Sequence, residues 1–207
     1  TLDRALRNSQ KARSMLADLL EVGRSDAGCF QCCHFEVPAV VDAVLMEALE
    51  FADARLWEAL HSQDADRQRE SLLNRHGIRI VCSPAACQTQ PCQDETKFRQ
   101  ILSNLIKNGL QHRRQQLEIG VDCQEVTLLV DLRDDGPRVE KENRENIFER
   151  YTQLKECVML SRTGHGLGLA GARILARRMG GDIVVTSKRG TGAVFRLTLP
   201  LMFEQSH

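Results

Sequence analysis

Neither sign of charge is in surplus in this chain: 28 Lys and Arg stand against 28 Asp and Glu in 207 residues. That balance removes any global attraction to nucleic acid or to an anionic membrane surface, and neither is expected as a partner. No apolar run approaches the roughly 18–20 residues that a membrane-crossing helix needs. No signal peptide opens the sequence, so a cytoplasmic location without membrane contact by this stretch is expected. Disorder is excluded from the other side, because hydrophobic residues make up 42% of the chain, enough to build a core. The length fits one ordinary domain with an appendage. The opening residues already follow a helical period, as a piece of a longer protein would.

Cysteine, by contrast, is plentiful: Cys29, Cys32, Cys33, Cys82, Cys87, Cys92, Cys123 and Cys157. Without a secretory signal, reduced thiols are the default. The run Cys29-x-x-Cys32-Cys33-His34 has ligand-like spacing, and Cys82, Cys87 and Cys92 recur every five residues. A metal or redox site is one reading of that spacing. Small, partly buried hydrophobes are the other, and the favoured one.

Small or apolar residues at Leu2, Ala5, Ser9, Ala12, Leu16, Leu19 and Gly23 alternate spacings of three and four. They form a narrow helical seam that needs a partner, most simply another copy of the chain. His34–Val37 reads as a strand, and Pro38 suits the first turn of a helix whose buried face runs through Val41, Leu45, Ala48, Ala52, Leu56 and Ala59. The polar run His61–Glu70 reads as a loop or solvated extension, Gly77–Val81 as a strand, and Ser83–Gln93 as irregular. Asp94 caps a helix with Phe98, Ile101, Leu102, Leu105 and Gly109 inward. A hairpin follows, with apolar alternation over Leu117–Val121 and Val126–Leu132, and then the turn Asp134-Asp135-Gly136-Pro137. After a polar segment from Tyr151 to Thr163 comes a helix with Leu169, Ala172, Ala176 and Met179 inward, stopped by Gly180-Gly181. Strands Ile183–Ser187 and Ala193–Leu199 close the chain around Gly190-Thr191-Gly192. Strands and helices mix without strict βαβ alternation. The expected class is therefore α+β, a two-layer sandwich of one mixed sheet under a helix layer, preceded by an N-terminal helix.

Three features carry chemistry. Gly164-His165-Gly166-Leu167-Gly168-Leu169 leads into a helix, an arrangement that exposes backbone N–H groups to anions such as phosphate. Asn104 and Asn108, four apart, share one helix face and offer carbonyl oxygens suited to Mg²⁺. Asp134, at the end of an apolar strand, can accept a hydrogen bond from an exocyclic amine, and Gly136 lets the backbone approach a ligand. Alone, each is equally a pair of surface amides, an ordinary Asp-Gly turn or a common Gly-rich turn.

In this order, however, they resemble the catalytic ATP-binding domain of sensor histidine kinases, within the wider family of ATPases that share a Bergerat-type sandwich fold. Asn104-Leu-Ile-Lys-Asn108-Gly-Leu-Gln-His112 is similar to the family's N box, and Asp134-Asp-Gly136-Pro-Arg-Val139 to its first glycine box. Ile147-Phe148-Glu149-Arg150-Tyr151 is similar to the F box, and Gly164-His-Gly166-Leu-Gly168-Leu169 to the second glycine box. The resemblance divides the chain at residues 1–28, the end of a dimerisation helical hairpin, and 29–203, the ATP-binding domain.

It implies ATP and Mg²⁺ as cofactors, with Asn108 as metal ligand and Asn104 near phosphates or metal. Asp134 would read adenine, with Gly136 giving the base room. Gly164, Gly166 and Gly168 would present N–H groups to the phosphates, with His165, Leu167, Leu169 and Thr191 lining the nucleotide site. Phe148 would anchor the lid, and Arg150 would approach the γ-phosphate. The implied reaction passes the γ-phosphoryl to a His outside this sequence and on to the Asp of a response-regulator receiver domain. The implied assembly is a homodimer through the N-terminal helix, in the cytoplasm or in the cytosolic part of a membrane-bound sensor. Arg138 stands where the family has a second glycine, and Gln111 where it has a Lys that Lys107, Arg113 or Arg114 would have to replace. An insertion separates Pro38 from Ile78. An ATP-hydrolysing relative is disfavoured because such enzymes carry a Glu where this chain has Asn104. A degenerate kinase, acting as scaffold or redox sensor without turning over ATP, is the alternative that Arg138 and Gln111 keep open.

Overall fold

Asp94 starts the central helix of the domain. Its carboxylate accepts a hydrogen bond from the Lys97 backbone N–H at 3.0 Å, satisfying one of the donors that a helix leaves free at its first turn. The computed structural model describes residues 30–61, 65–149, 168–188 and 190–203. The N-terminal seam, the domain boundary at residue 28 and the Tyr151–Thr163 segment lie outside these residues.

In chain order the described elements are β1 (Cys32–His34), α1 (Val37–Ala52), α2 (Ala54–Leu60), α3 (Ala65–Arg75), β2 (Ile78–Cys82) and α4 (Pro84–Gln88). They continue with β3 (Cys92–Asp94), α5 (Glu95–His112), β4 (Leu117–Gln124) and β5 (Thr127–Asp134). Two short 3-10 turns follow (Lys141–Asn143 and Asn146–Phe148), then α6 (Gly168–Arg178), β6 (Asp182–Ser187) and β7 (Ala193–Pro200). The main sheet has the order β2-β4-β5-β7-β6. β2 and β4 run parallel, and the remaining neighbours are antiparallel. β1 and β3 form a separate antiparallel pair.

Side chains alternate across the sheet, and its two faces differ accordingly. Ile119, Val121, Leu128, Val130, Leu132, Phe195 and Leu197 are buried on the face that carries the helices. Val41 and Leu45 of α1, Phe98, Ile101, Leu102 and Leu105 of α5, and Ala172 and Ala176 of α6 join them in one core. The opposite face carries a cross-strand ladder of alternating charge. Glu118 pairs with Arg79 at 3.7 Å and Arg133 at 3.4 Å, while Asp131 pairs with Arg133 at 3.2 Å and Arg196 at 2.7 Å. This is the mixed-sheet α+β sandwich that the pattern predicts.

Four stretches differ from the sequence expectation. The helix expected to run through Ala59 breaks at Asp53, whose side chain caps α2 by accepting from the Leu56 N–H at 3.1 Å. Most of the polar run ending at Glu70 is helical, in α3, held to α1 by the Arg69–Asp42 ion pair at 2.5 Å. The Ser83–Gln93 stretch is not irregular: Ser83 Oγ accepts from the Ala86 N–H at 3.1 Å, Pro84 takes the first helical position, and α4 follows. The strand expected at His34–Val37 lies at Cys32–His34, and Val37 already begins α1.

Candidate functional site

α5 carries the two amides. Asn104 and Asn108 are half-buried on it, while Lys107 and Gln111 are exposed. Asn104 faces Gly168, the first described residue of α6: a Cβ built on Gly168 would stand 3.2 Å from Asn104 Oδ1. At the other end of α5, His112 meets the end of β5. A side chain on Gly136 would overlap the His112 carbonyl and crowd Asp134 Oδ1, so only glycine fits. The Gly136 N–H donates to Asp134 Oδ1 at 2.8 Å.

Asp134 is 5% exposed. Burial pushes its carboxyl pKa up, against the opposing pull of the Gly136 N–H and of His112 nearby. Burial likewise pushes His112 down, with Asp134 opposing. β5 pairs Asp134 with Leu117 on one side and Ala193 on the other, so its backbone is locked from both neighbours. Thr191 is exposed, and its hydroxyl donates to the Lys188 carbonyl at 3.2 Å.

Phe148 turns into the core, edge-on to Phe195 at 6.4 Å between ring centroids and under the Arg173 guanidinium at 4.6 Å. Leu169 packs against the core from α6. Arg150, Gly164, His165, Gly166 and Leu167 lie outside the described residues. Among the cations considered for the Lys missing from the N box, Arg113 is engaged elsewhere, donating to the His76 carbonyl at 3.0 Å. Arg138 pairs with Glu140 at 3.2 Å.

Two groups escaped the sequence reading. Asp135 accepts hydrogen bonds from three successive backbone N–H groups, those of Arg114, Gln115 and Gln116, at 2.8–3.0 Å on Oδ1. Arg173, 9% exposed, binds Asp182 at 2.9 Å and Glu145 at 2.6 Å while covering Phe148. It thereby ties α6 to the F-box turn and to β6. The sequence signal for Arg173 was a charge among apolar neighbours, and for Asp135 only its place in the Asp-Asp-Gly-Pro turn.

Burial disfavours the charged form of Asp182, but hydrogen bonds from Arg173 and Arg177 outweigh it and hold the pKa at about 2. A carboxylate with a depressed folded pKa contributes stability above its unfolded pKa of about 3.9, and that contribution fades as pH falls toward the folded value. The urea midpoint of the parent should therefore exceed that of Asp182→Asn at about pH 5, with the gap closing by about pH 2. A gap independent of pH would show that the ion pair contributes through shape alone.

Known proteins share this fold. The family model for histidine kinase-, DNA gyrase B-, and HSP90-like ATPases matches residues 93–202, more than half of the chain. The chain belongs to this ATPase family. The aerobic respiration control sensor protein ArcB of Escherichia coli is 40% identical over 141 residues, covering 65% of this chain and 18% of ArcB. The adaptive-response sensory kinase SasA of Synechococcus is 26% identical over 204 residues, covering 96% of this chain and 48% of SasA. The chain thus spans less than half the length of these relatives. The fold of full-length ShkA, solved in complex with AMPPNP, matches with a TM-score of 0.68 at 23% identity, over 95% of this chain and 37% of that one. The Acinetobacter baumannii histidine kinase AdeS matches with a TM-score of 0.67 at 19% identity, over 97% and 84%.

The cysteines do not add a metal centre to the described part of this ATPase-family domain. Among the described residues no group of three or more His, Cys, Asp and Glu is placed to hold a metal. Partial burial pushes the thiols of Cys82 and Cys123 up, which favours protonated sulfur and disfavours both metal ligation and nucleophilic attack. Cys29 and Cys157 lie outside the described residues. No helix among the described residues is long and apolar enough to cross a membrane.

Proposed function

We propose that this chain is the ATP-binding catalytic domain of a two-component sensor histidine kinase, holding Mg-ATP for transfer of the γ-phosphoryl to a His outside the sequence. The observation that carries this reading is the course of α5. Asn104 lies beside Gly168 of the second glycine box, and His112, eight residues on, lies beside Asp134 and Gly136 of the first. Eight residues of α-helix span about 12 Å. One helix therefore links a phosphate end to a base end, as an extended nucleotide requires.

The donor set suits magnesium, a hard cation that takes a few oxygen ligands and keeps waters. Asn108 would supply an amide oxygen to it and Asn104 another, in a cradle kept open by the absence of a side chain at Gly168. Bound there, the cation neutralises phosphate charge. Asp134 would accept from the exocyclic amine of adenine. Gly136 would leave the base its space, and the Gly164–Gly168 backbone would donate to phosphate oxygens. Phe148, fixed by Phe195 and Arg173, would anchor the start of the lid, and Arg150 would approach the γ-phosphate. The domain positions and neutralises and forms no covalent bond of its own. Its partners would be the helix bearing the phosphoacceptor His, a second copy of the chain joined through residues 1–28, and the receiver domain of a response regulator, all in the cytoplasm.

Titration of the chain with a fluorescent ATP analogue tests the reading. Binding should tighten with Mg²⁺, and Asn108→Ala should remove about tenfold of affinity in Mg²⁺ while leaving metal-free binding unchanged. No binding by the parent would point to a degenerate scaffold. Turnover to ADP without a His acceptor would point to an ATP hydrolase.

A further inference from the structure

The most densely bonded carboxylate near the site is not the one expected to read the base but its neighbour. Asp135 Oδ1 collects the N–H groups of Arg114 at 2.8 Å, Gln115 at 3.0 Å and Gln116 at 3.0 Å, and its Oδ2 takes a second bond from Gln115 at 3.1 Å. In return the Asp135 N–H donates to the Gln116 carbonyl at 3.3 Å. Three consecutive backbone donors converging on one anion form a nest, here filled by the protein's own side chain. Burial acts to raise the pKa of Asp135, and the N–H bonds from Gln116, Gln115 and Arg114 outweigh it and lower it, so the group is ionised at neutral pH.

The nest is also pinned from behind. The Leu117 N–H donates to the Gly77 carbonyl at 2.8 Å, and a side chain at Gly77 (φ +70°) would overlap the Gln115 carbonyl. The segment from Arg113 to Gln116 is thus clamped between the start of β2 and the end of β5. It is also the direct covalent link between α5, which bears Asn104, Asn108 and His112, and β4, which pairs with β5.

We infer that Asp135 is a positioning residue of the nucleotide pocket: by gripping the α5–β4 connection it fixes the end of α5, and with it the His112 carbonyl, against Asp134 and Gly136. The inference rests on the nucleotide reading proposed above. It assigns to the second acid of the Asp134-Asp135 pair a task distinct from the first. Asp134 faces the ligand, whereas Asp135 sets the depth and register at which the ligand's base meets Asp134. The Gly136 N–H reports on that register directly, since it donates to Asp134 and a Cβ on the same residue would overlap the His112 carbonyl.

The test compares the full chain with Asp135→Ala and Asp135→Asn, the latter keeping the Oδ1 acceptor without the charge. Amide hydrogen exchange of the nucleotide-free proteins is read at residues 114–116 and at Gly136, and binding of fluorescent ATP and GTP analogues is read alongside. Asp135→Ala should lose protection at 114–116 and also at Gly136, and its preference for ATP over GTP should fall about tenfold. Asp135→Asn should restore most of both. Protection lost at 114–116 but kept at Gly136, with base preference intact, would overturn the inference and leave Asp135 a loop staple only. Should Asp135→Ala fail to fold, Asp135→Ser, whose shorter side chain cannot reach all three N–H groups, carries the test: loss of both signals is expected, and protection kept at Gly136 with base preference intact would overturn the inference. If the parent binds no nucleotide, the proposed function falls, and exchange at Gly136 still decides for or against Asp135.

Discussion

Asp134→Asn is expected to abolish selective ATP binding without weakening the fold. On the nucleotide reading, the carboxylate accepts from the adenine amine. An amide in its place turns one acceptor oxygen into a donor, which then opposes the donor on the base. Loss of a charged acceptor at a buried position should cost about 3 kcal/mol, roughly a hundredfold in Kd. The same amide can donate to the carbonyl of a guanine, so affinity for GTP should fall less than that for ATP, or rise.

Stability should move the other way. Burial raises the Asp134 pKa, and a carboxyl whose folded pKa lies above its unfolded value costs stability once pH rises through the folded value. Asn carries no such charge and keeps an oxygen for the Gly136 N–H now bonded at 2.8 Å. Near neutral pH the variant should therefore melt no lower than the parent. A variant that melts well below the parent would show that His112 and the backbone donors depend on the charge. A folded variant with full ATP selectivity would remove Asp134 from the base site.

Legibility in the sequence followed periodicity and caps. The α5 seam of Phe98, Ile101, Leu102 and Leu105, with Asp94 as its cap, was readable because burial there repeats with the helix. β4, β5 and β7 were readable because one face is apolar and the other polar, and the period of two survives in each of them. α3 was not, because among its described side chains Leu72 and Leu73 form the apolar anchor, and Arg69 is held by charge alone, through Asp42. α4 had a legible start in Ser83-Pro84, masked by a composition of Ala, Cys and Gln that usually marks a loop.

The same contrast holds in the site. Asn104, Asn108, Asp134 and Gly136 belong to motifs whose letters are adjacent. Arg173 with Asp182 and Glu145, and Asp135 with the segment it grips, act through partners 9 to 28 positions away, and only the folded chain brings those partners to them. The Asp-Gly turn was visible as a turn. Its second acid was not visible as an anion in a nest, because the donors are main-chain atoms that no residue letter announces.

The largest effect on folding should come from Gly192→Ala, read against Gly171→Ala. Gly192 sits at φ +75°, and a Cβ there would overlap the carbonyl of Asp134. Its own carbonyl accepts from Ser187 Oγ at 2.6 Å, closing the β6–β7 turn onto the end of β5. An alanine must leave the left-handed region or push β7 away from β5. Backbone strain plus the steric shift should cost about 2–4 kcal/mol in urea unfolding. Gly171 lies within α6, where a methyl group would meet nothing within 4 Å, and alanine there should gain about 0.5–1 kcal/mol through helix propensity. The opposite signs matter, because a chain that simply dislikes substitution near the glycine boxes would lose stability at both positions. Gly192→Ala should also weaken ATP-analogue binding in the fraction that remains folded, since the turn and Asp134 share the contact between β5 and β7 at the Asp134–Ala193 pair. If Gly192→Ala instead unfolds at the parent's urea concentration, that pair is not held by the turn, and the backbone lock on Asp134 must come from Leu117 on its other side.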